Sequence, residues 1–360
     1  MGFADNLPTV IAGRAVAPPT QSGSLVARGL EAIKSSVTTL SVEAENSFHK
    51  GVDAYKRRHF AEAAEWYRRA ADQGHALAPF NLALLYDKGQ GVPQNDAAAV
   101  SWYRKGADRG DTRSQNNLAT KYANGRGVPQ DYAAAATWYR KAAEQGDALA
   151  QCTLAEIYDK GRGVPQDHAE ALKWRRLAAD QGYAVAQLNL GVRYFVGQDL
   201  PQDHTEGIKW VRRAADQGHA AAEFFLGTTY KYGRGVPQDH AEAIKWFRRA
   251  AERGDPIAQC SLAVMYESGR GVQQDDAEAS RWYRRAAEQS YSKAQWTLGI
   301  RYENGLGVPQ DYVQAHAWFN RAARSASDSE DRDRAVKCLE GIAARMTPAQ
   351  IAEAQRLARN

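Results

Sequence analysis

Residues 147–182 read DALAQCTLAEIYDKGRGVPQDHAEALKWRRLAADQG, and the stretches of 36 residues on either side repeat that text with few changes. Laid out at this interval, the chain holds seven consecutive units, beginning at His75, Asp111, Asp147, Tyr183, His219, Asp255 and Tyr291 and ending at Ala326. No gap is needed. Three positions never vary: the eighth is Leu (Leu82 to Leu298), the twelfth Tyr (Tyr86 to Tyr302) and the twenty-eighth Trp (Trp102 to Trp318), while Gly holds the fifteenth. An unbroken period of this length marks an array of small units, none of which can bury its apolar face alone.

Each unit reads as two helices. In the quoted one, Ala150, Leu154, Ala155 and Tyr158 fall on one helical stripe. Gly161 and Gly163 follow, and a glycine there permits the left-handed cap that ends a helix. Val164-Pro165-Gln166 is extended, and Asp167 opens the second helix as N-cap, with Glu170 completing a capping box. The same pair recurs as Asp203 and Glu206, Asp239 and Glu242, and Asp275 and Glu278. Helices of this length are marginal alone and must be covered by their neighbours. The fold class expected is therefore all-α: a right-handed superhelical solenoid of stacked helix-turn-helix repeats.

The flanks read differently. Residues 1–41 are expected to be a flexible tail, with a loose helix near 24–39, and 42–74 a shorter first repeat ending in the same WYRRAADQG phrase. Beyond the array at 75–326, residues 327–360 are expected to form capping helices, one over 334–344 and a last one opened by the Thr347-Pro348-Ala349-Gln350 box.

Composition excludes several function classes. The net charge of +5 comes from 47 basic and 42 acidic residues, too weak and too spread to call for nucleic acid. Three cysteines, Cys152, Cys260 and Cys338, make no disulfide framework. No apolar run is long enough to span a bilayer. With no clear signal peptide either, a cytoplasmic location is favoured over secretion by a non-classical route. No nucleophile–base pair, metal cluster or phosphate loop stands out, so no cofactor, metal or catalytic residue is expected. The repeated Gly-x-Gly follows a helix and precedes an extended Pro, the wrong setting for a dinucleotide site. His168, His204 and His240 share one repeat position, too far apart for a common ion. The basic pairs late in the second helices, such as Arg140-Lys141 and Arg248-Arg249, are expected to sit on a solvated face with the acids three or four residues on.

The pattern A-x-x-x-L-[AG]-x-x-Y-x-x-G-x-G-V-P-Q-D, then A-x-x-W-[YF]-R-x-A-A, resembles the Sel-one-like repeat family, a branch of the tetratricopeptide-repeat superfamily. That resemblance implies a non-enzymatic adaptor or scaffold that binds protein partners on a concave face, in signalling, secretion, envelope or host-interaction pathways. A monomer is expected rather than an obligate oligomer. The alternative, a β-lactamase-like hydrolase, belongs to a branch with a cysteine pair in each repeat, which this chain lacks.

Under tetratricopeptide geometry the third, sixth, tenth, thirteenth and fourteenth positions line that face. In the second unit they are polar, as at Asn116 and Asn124; in the fourth and fifth they include Leu188, Val192, Phe195, Val196, Phe224 and Tyr232, and the seventh adds Trp296. Leu188, Phe224 and Trp296, all at the sixth position, read equally as wedges between repeats. Phe195 and Val196 read as exposed anchors, with Arg193 and Lys231 as polar contacts at the rim. In the fourth unit Asp199-Leu200 replaces Gly-Val and Gly207 replaces Ala, which reads either as neutral drift or as a local bend.

Overall fold

The computed structural model describes residues 42–359; the expected flexible tail at 1–41 lies outside them. The chain divides into two compact units after Asp111, and all described regular structure is helical. The first unit holds α1 (42–56), α2 (Phe60–Asp72), α3 (Ala78–Lys88) and α4 (Asp96–Asp108).

The second unit holds six further repeat pairs and two closing helices. Its pairs are α5 (Thr112–Asn124) with α6 (Tyr132–Glu144), α7 (Ala148–Lys160) with α8 (His168–Asp180), and α9 (Ala184–Val196) with α10 (His204–Asp216). There follow α11 (Ala220–Tyr232) with α12 (His240–Glu252), α13 (Pro256–Ser268) with α14 (Asp276–Glu288), and α15 (Ser292–Asn304) with α16 (Tyr312–Ser325). Both α17 (Ser329–Ala343) and α18 (Pro348–Arg359) pack against α16. From α6 to α17 each helix packs on the one before it, so the second unit is an all-α solenoid of stacked hairpins.

The Asp N-caps read from the sequence are formed, but the reciprocal half of the repeat capping boxes is not. The N–H groups of Asp167, Asp203, Asp239 and Asp275 donate to the carbonyl oxygens of Tyr158, Tyr194, Tyr230 and Tyr266, and Glu170, Glu206, Glu242 and Glu278 pair with a cation three residues on. Asp167, Asp203, Asp239 and Asp275 each accept the backbone N–H three residues on, at 2.9 Å. Gly161, Gly197, Gly233 and Gly269 close the first helices in the left-handed conformation. At α18, Gln350 N donates to Thr347 Oγ1 and Thr347 N to Gln350 Oε1.

The invariant residues build the interior. Leu82, Leu118, Leu154, Leu190, Leu226, Leu262 and Leu298 have no exposed surface. Trp246 is 7% exposed, and its Trp counterparts at 174, 210, 282 and 318 are similarly buried. Among the described residues, Arg140, Arg212, Arg248 and Arg284 are not paired with the acids that follow them. Arg140, Arg176, Arg212, Arg248 and Arg284 each donate to the tyrosine hydroxyl of the next hairpin, from Tyr158 to Tyr302. The second cation of the pair lies over the preceding Trp ring, as Lys141 over Trp138 and Arg249 over Trp246. A guanidinium on an aromatic face or a hydroxyl keeps its charge near water while its stem covers apolar surface.

Candidate functional site

The lining positions of the fourth and fifth repeats are carried by α9 and α11. Val196 and Tyr232, the last residues of these helices, are each 55% exposed. They point outward because the glycine cap begins one residue later and leaves the last turn uncovered. Val192 and Lys231 are half-buried. Tyr232 is flanked by two cations, with Lys231 Nζ 5.2 Å and the Arg234 guanidinium 5.5 Å from its ring centroid.

Phe195 does not belong to this surface. It is 8% exposed, its ring lies 4.5 Å from that of His204 and 5.1 Å from that of Phe225, and it joins Ile208 and Val211 in the core. In the third and sixth repeats the thirteenth position meets the second helix, Asp159 at Arg175 and Glu267 at Tyr283. In the fourth repeat that neighbour is Val211, and Gly207 leaves further room, so a phenyl ring drops in. Gly207 is thus a packing residue. A Cβ on it would lie 2.7 Å from the Gly191 carbonyl oxygen and 3.0 Å from Phe195 N, and a Cβ on Gly191 would lie 2.7 Å from the Gly207 oxygen.

The sixth-position residues lie between repeats. Leu188 packs against the core of the fourth and fifth repeats, and Phe224 stands 5.7 Å from Phe247. Trp296 is half-buried, with the Arg334 guanidinium of α17 5.9 Å from its ring. Asn116, read as an exposed polar lining residue, is 8% exposed.

Arg193 is also no rim contact. It binds Asp159 of the third repeat and Asp199 of its own loop, and Arg175 binds Asp159 from the other side. Asp199 occupies a left-handed conformation at φ 61° that the other loops give to glycine. Those glycines abut the preceding hairpin: a Cβ on Gly163 would lie 2.3 Å from the Tyr132 carbonyl carbon. An aspartate cannot make that approach, and its carboxylate reaches the Arg193 guanidinium instead. The carboxylates of Asp159 and Asp199 and the His168 ring offer ligand atoms within 4.8 Å of one another. Both carboxylates already face guanidinium groups, which hold the Asp159 carboxyl below the usual carboxylate range against the opposing effect of burial. The cluster is a salt-bridge network rather than a cation site. His204 stacks on Phe195, so the three equivalent histidines have unlike surroundings.

Burial pushes Cys152 up to about 11 and Cys260 up to about 12, far from the range of a nucleophilic thiolate.

Sequence reading missed the buried polar ladder. Gln151, Gln187 and Gln259, at the fifth position, donate to the carbonyl oxygens of Ala143, Ala179 and Ala251. In the fifth repeat the ladder position is Glu223, fully buried and bound by Arg249 and Arg253. A carboxylate cannot donate to Ala215 O, and Arg249 Nη2 does so in its place at 3.0 Å. The signal was legible as a paired change, Gln to Glu at one position and Gln to Arg thirty residues on.

Hairpins of this period, capped at every turn and stacked by nearest neighbours, define a helical-repeat protein of the tetratricopeptide-like class. The chain belongs to the Sel1 repeat family: the Sel1 repeat model matches 53–75, 76–111, 112–147, 148–183, 184–219, 220–255, 256–291 and 292–327. It is similar in structure to a protective antigen of uropathogenic Escherichia coli with this fold, at 35% identity and a TM-score of 0.71 over 90% of this chain and 70% of that one. It is likewise similar to a Sel1 repeat protein from Oxalobacter formigenes, at 28% identity and a TM-score of 0.70 over 91% of this chain and 98% of that one. No curated protein sequence matches the chain. Among the described residues no helix is long and apolar enough to cross a membrane.

Proposed function

We propose that this chain is a non-enzymatic scaffold holding a protein segment on the first-helix face of its fourth and fifth repeats. The observation that carries the reading is the exposure of Val196 and Tyr232, each 55%, at the same turn of neighbouring first helices. Large apolar side chains left in water at equivalent repeat positions are the usual mark of a contact surface. Val192, half-buried, lies one turn before Val196 on the same helix.

Charge narrows the partner. Around the Gly-x-Gly edge the acids are already engaged: Glu156 with Lys160, Asp159 and Asp199 with Arg193, Glu267 with Arg301. Among the described residues Lys231 and Arg234 face only the Tyr232 ring, and Arg162 only that of Tyr132. A segment with an aromatic or aliphatic anchor flanked by Asp or Glu suits such a rim. The likeness to a bacterial protective antigen supports a host-interaction setting within the signalling, secretion and host-interaction roles of the family.

Selection of a random peptide library on the intact protein tests the reading. Enrichment of apolar anchors beside acidic residues, competing for one site, is expected. Enriched peptides that still bind after Tyr232→Ala would place the contact surface elsewhere.

A further inference from the structure

Three departures from the repeat meet in one place, near the end of the array. The thirty-fourth position is acidic in the first six units, from Asp108 to Glu288, and in the shorter repeat before them at Asp72; in the seventh it is Arg324. The thirty-fifth is Gln or Arg from Gln73 to Gln289, and in the seventh unit it is Ser325. The residue that ends each unit is Gly up to Gly254, always in the left-handed conformation, and the sixth unit has Ser290 there at φ 64°. A left-handed serine is strained, and strain of this kind gathers where a ligand is held.

Arg324, Ser325 and Ser290 line one solvent-open cavity of about 350 Å³, together with Arg321 of the same helix, Arg359 of α18 and Glu288. Two hydrogen bonds place the guanidiniums. Arg321 donates through Nη2 to Leu357 O at 2.6 Å and Arg324 through Nη1 to Ala358 O at 3.4 Å, and Ala358 is itself part of the cavity wall. Both heads therefore lie at the end of α18, next to Arg359. A guanidinium carries five N–H donors, so each of the two has most of its donors left. Among the described residues none of the three arginines forms an ion pair, and neither serine hydroxyl has a partner. Three guanidiniums stand against the one carboxylate of Glu288, and the negative end of α18 offsets only about half a charge. The cavity keeps an excess of positive charge.

We propose that this cavity binds a small phosphate monoester. A phosphate dianion matches the excess charge. Its three terminal oxygens accept from guanidinium forks and hydroxyls together, more donors than the two oxygens of a carboxylate take up. Arg321 and Arg324 hold the phosphate, Ser290 and Ser325 donate to it, and Arg359 closes the site from α18. The donors surround a recess rather than spread over a face, which suits a small molecule and not a lipid surface. The site is independent of the surface on the fourth and fifth repeats.

Glycerol 3-phosphate is the probe, titrated into the full chain by calorimetry at physiological salt, with acetate as comparator. Saturable one-site binding of the phosphate probe is expected, and acetate should bind at least about tenfold more weakly. Arg324→Gln keeps an N–H for Ala358 O but removes the charge, and is expected to weaken the probe about tenfold or more. Ser290→Gly restores the residue of the other repeats; it is expected to raise the Tm and to weaken the probe about threefold or more. Arg356→Gln, on α18 but outside the cavity and paired with Glu353, should leave binding unchanged. Absence of saturable binding, equal binding of acetate, or undiminished binding to folded Arg324→Gln or Ser290→Gly would each overturn the proposal. So would sedimentation of the protein with phosphatidate vesicles without binding of the soluble probe, which would assign the cluster to a membrane surface.

Discussion

Two neighbouring hairpins close in opposite ways. Between α11 and α12 a large ring fills the gap: Gly227 lies under Phe247, and a Cβ there would sit 2.5 Å from the ring. Between α9 and α10 no ring separates the helices at Gly191, because Gly191 and Gly207 let the two backbones meet directly. The seventh repeat follows the first solution, with Gly299 under Phe319. The period fixes where helices run, while the size of two facing residues decides how close they come. The room that Gly207 leaves also lets Phe195 turn inward.

This contrast can be broken from either side. Removing the ring by Phe247→Ala should be the largest effect, about 3–5 kcal/mol, since it empties a fully buried site. Chemical denaturation would show it, and an unchanged midpoint would mean the ring is not what spaces α11 from α12. Gly207→Ala should cost about 1–3 kcal/mol through overpacking, although alanine is the better helix former by about 1 kcal/mol. A gain in stability there would refute the backbone contact.

A third test uses pH. His316 is 3% exposed, and burial lowers its pKa from the ordinary value. The folded state therefore favours the neutral ring. Its contribution is fully present above the unfolded pKa of about 6.5 and is lost as pH falls through the lower folded value. Tm should fall on acidification from pH 7 to pH 5, and His316→Gln should reduce that fall. An identical pH profile for the variant would exclude His316 as a source. The smallest effect is the control for the glycine argument. Gly341 lies in α17 with open space where its Cβ would go, so Gly341→Ala should stabilise by about 0.5–1 kcal/mol. A loss of stability would show that α17 is not the plain helix described.

The repeat made most of the fold legible. Invariant Leu and Trp, the Asp caps and the Gly stops each carry a local rule, and local rules survive without knowledge of the neighbour. The site was less legible, because whether a lining residue is exposed depends on what faces it. Val196 and Tyr232 stand outward as their position implies. Phe195 does not, and the reason is Gly207, twelve residues away on the other helix. Arg193 looked like a rim contact until Asp159, in the preceding repeat, was set beside it. Such pairings join residues on different helices, twelve apart for Phe195 and Gly207 and thirty-four for Asp159 and Arg193, and a reading one helix at a time passes over them.

The central claim is that Val196 and Tyr232 anchor a partner beside a cationic edge. Fluorescence anisotropy of a selected acidic–apolar peptide against the wild type, Tyr232→Ala, Val196→Asp and the control Asn124→Ala tests it most directly. Each anchor change should cost about 2 kcal/mol or more, roughly thirtyfold in Kd, with helical content unchanged and Asn124→Ala neutral. Higher salt should weaken wild-type binding through the screened Lys231 and Arg234 contacts. Affinity that is the same for the wild type and both anchor variants, in folded protein, would contradict the account.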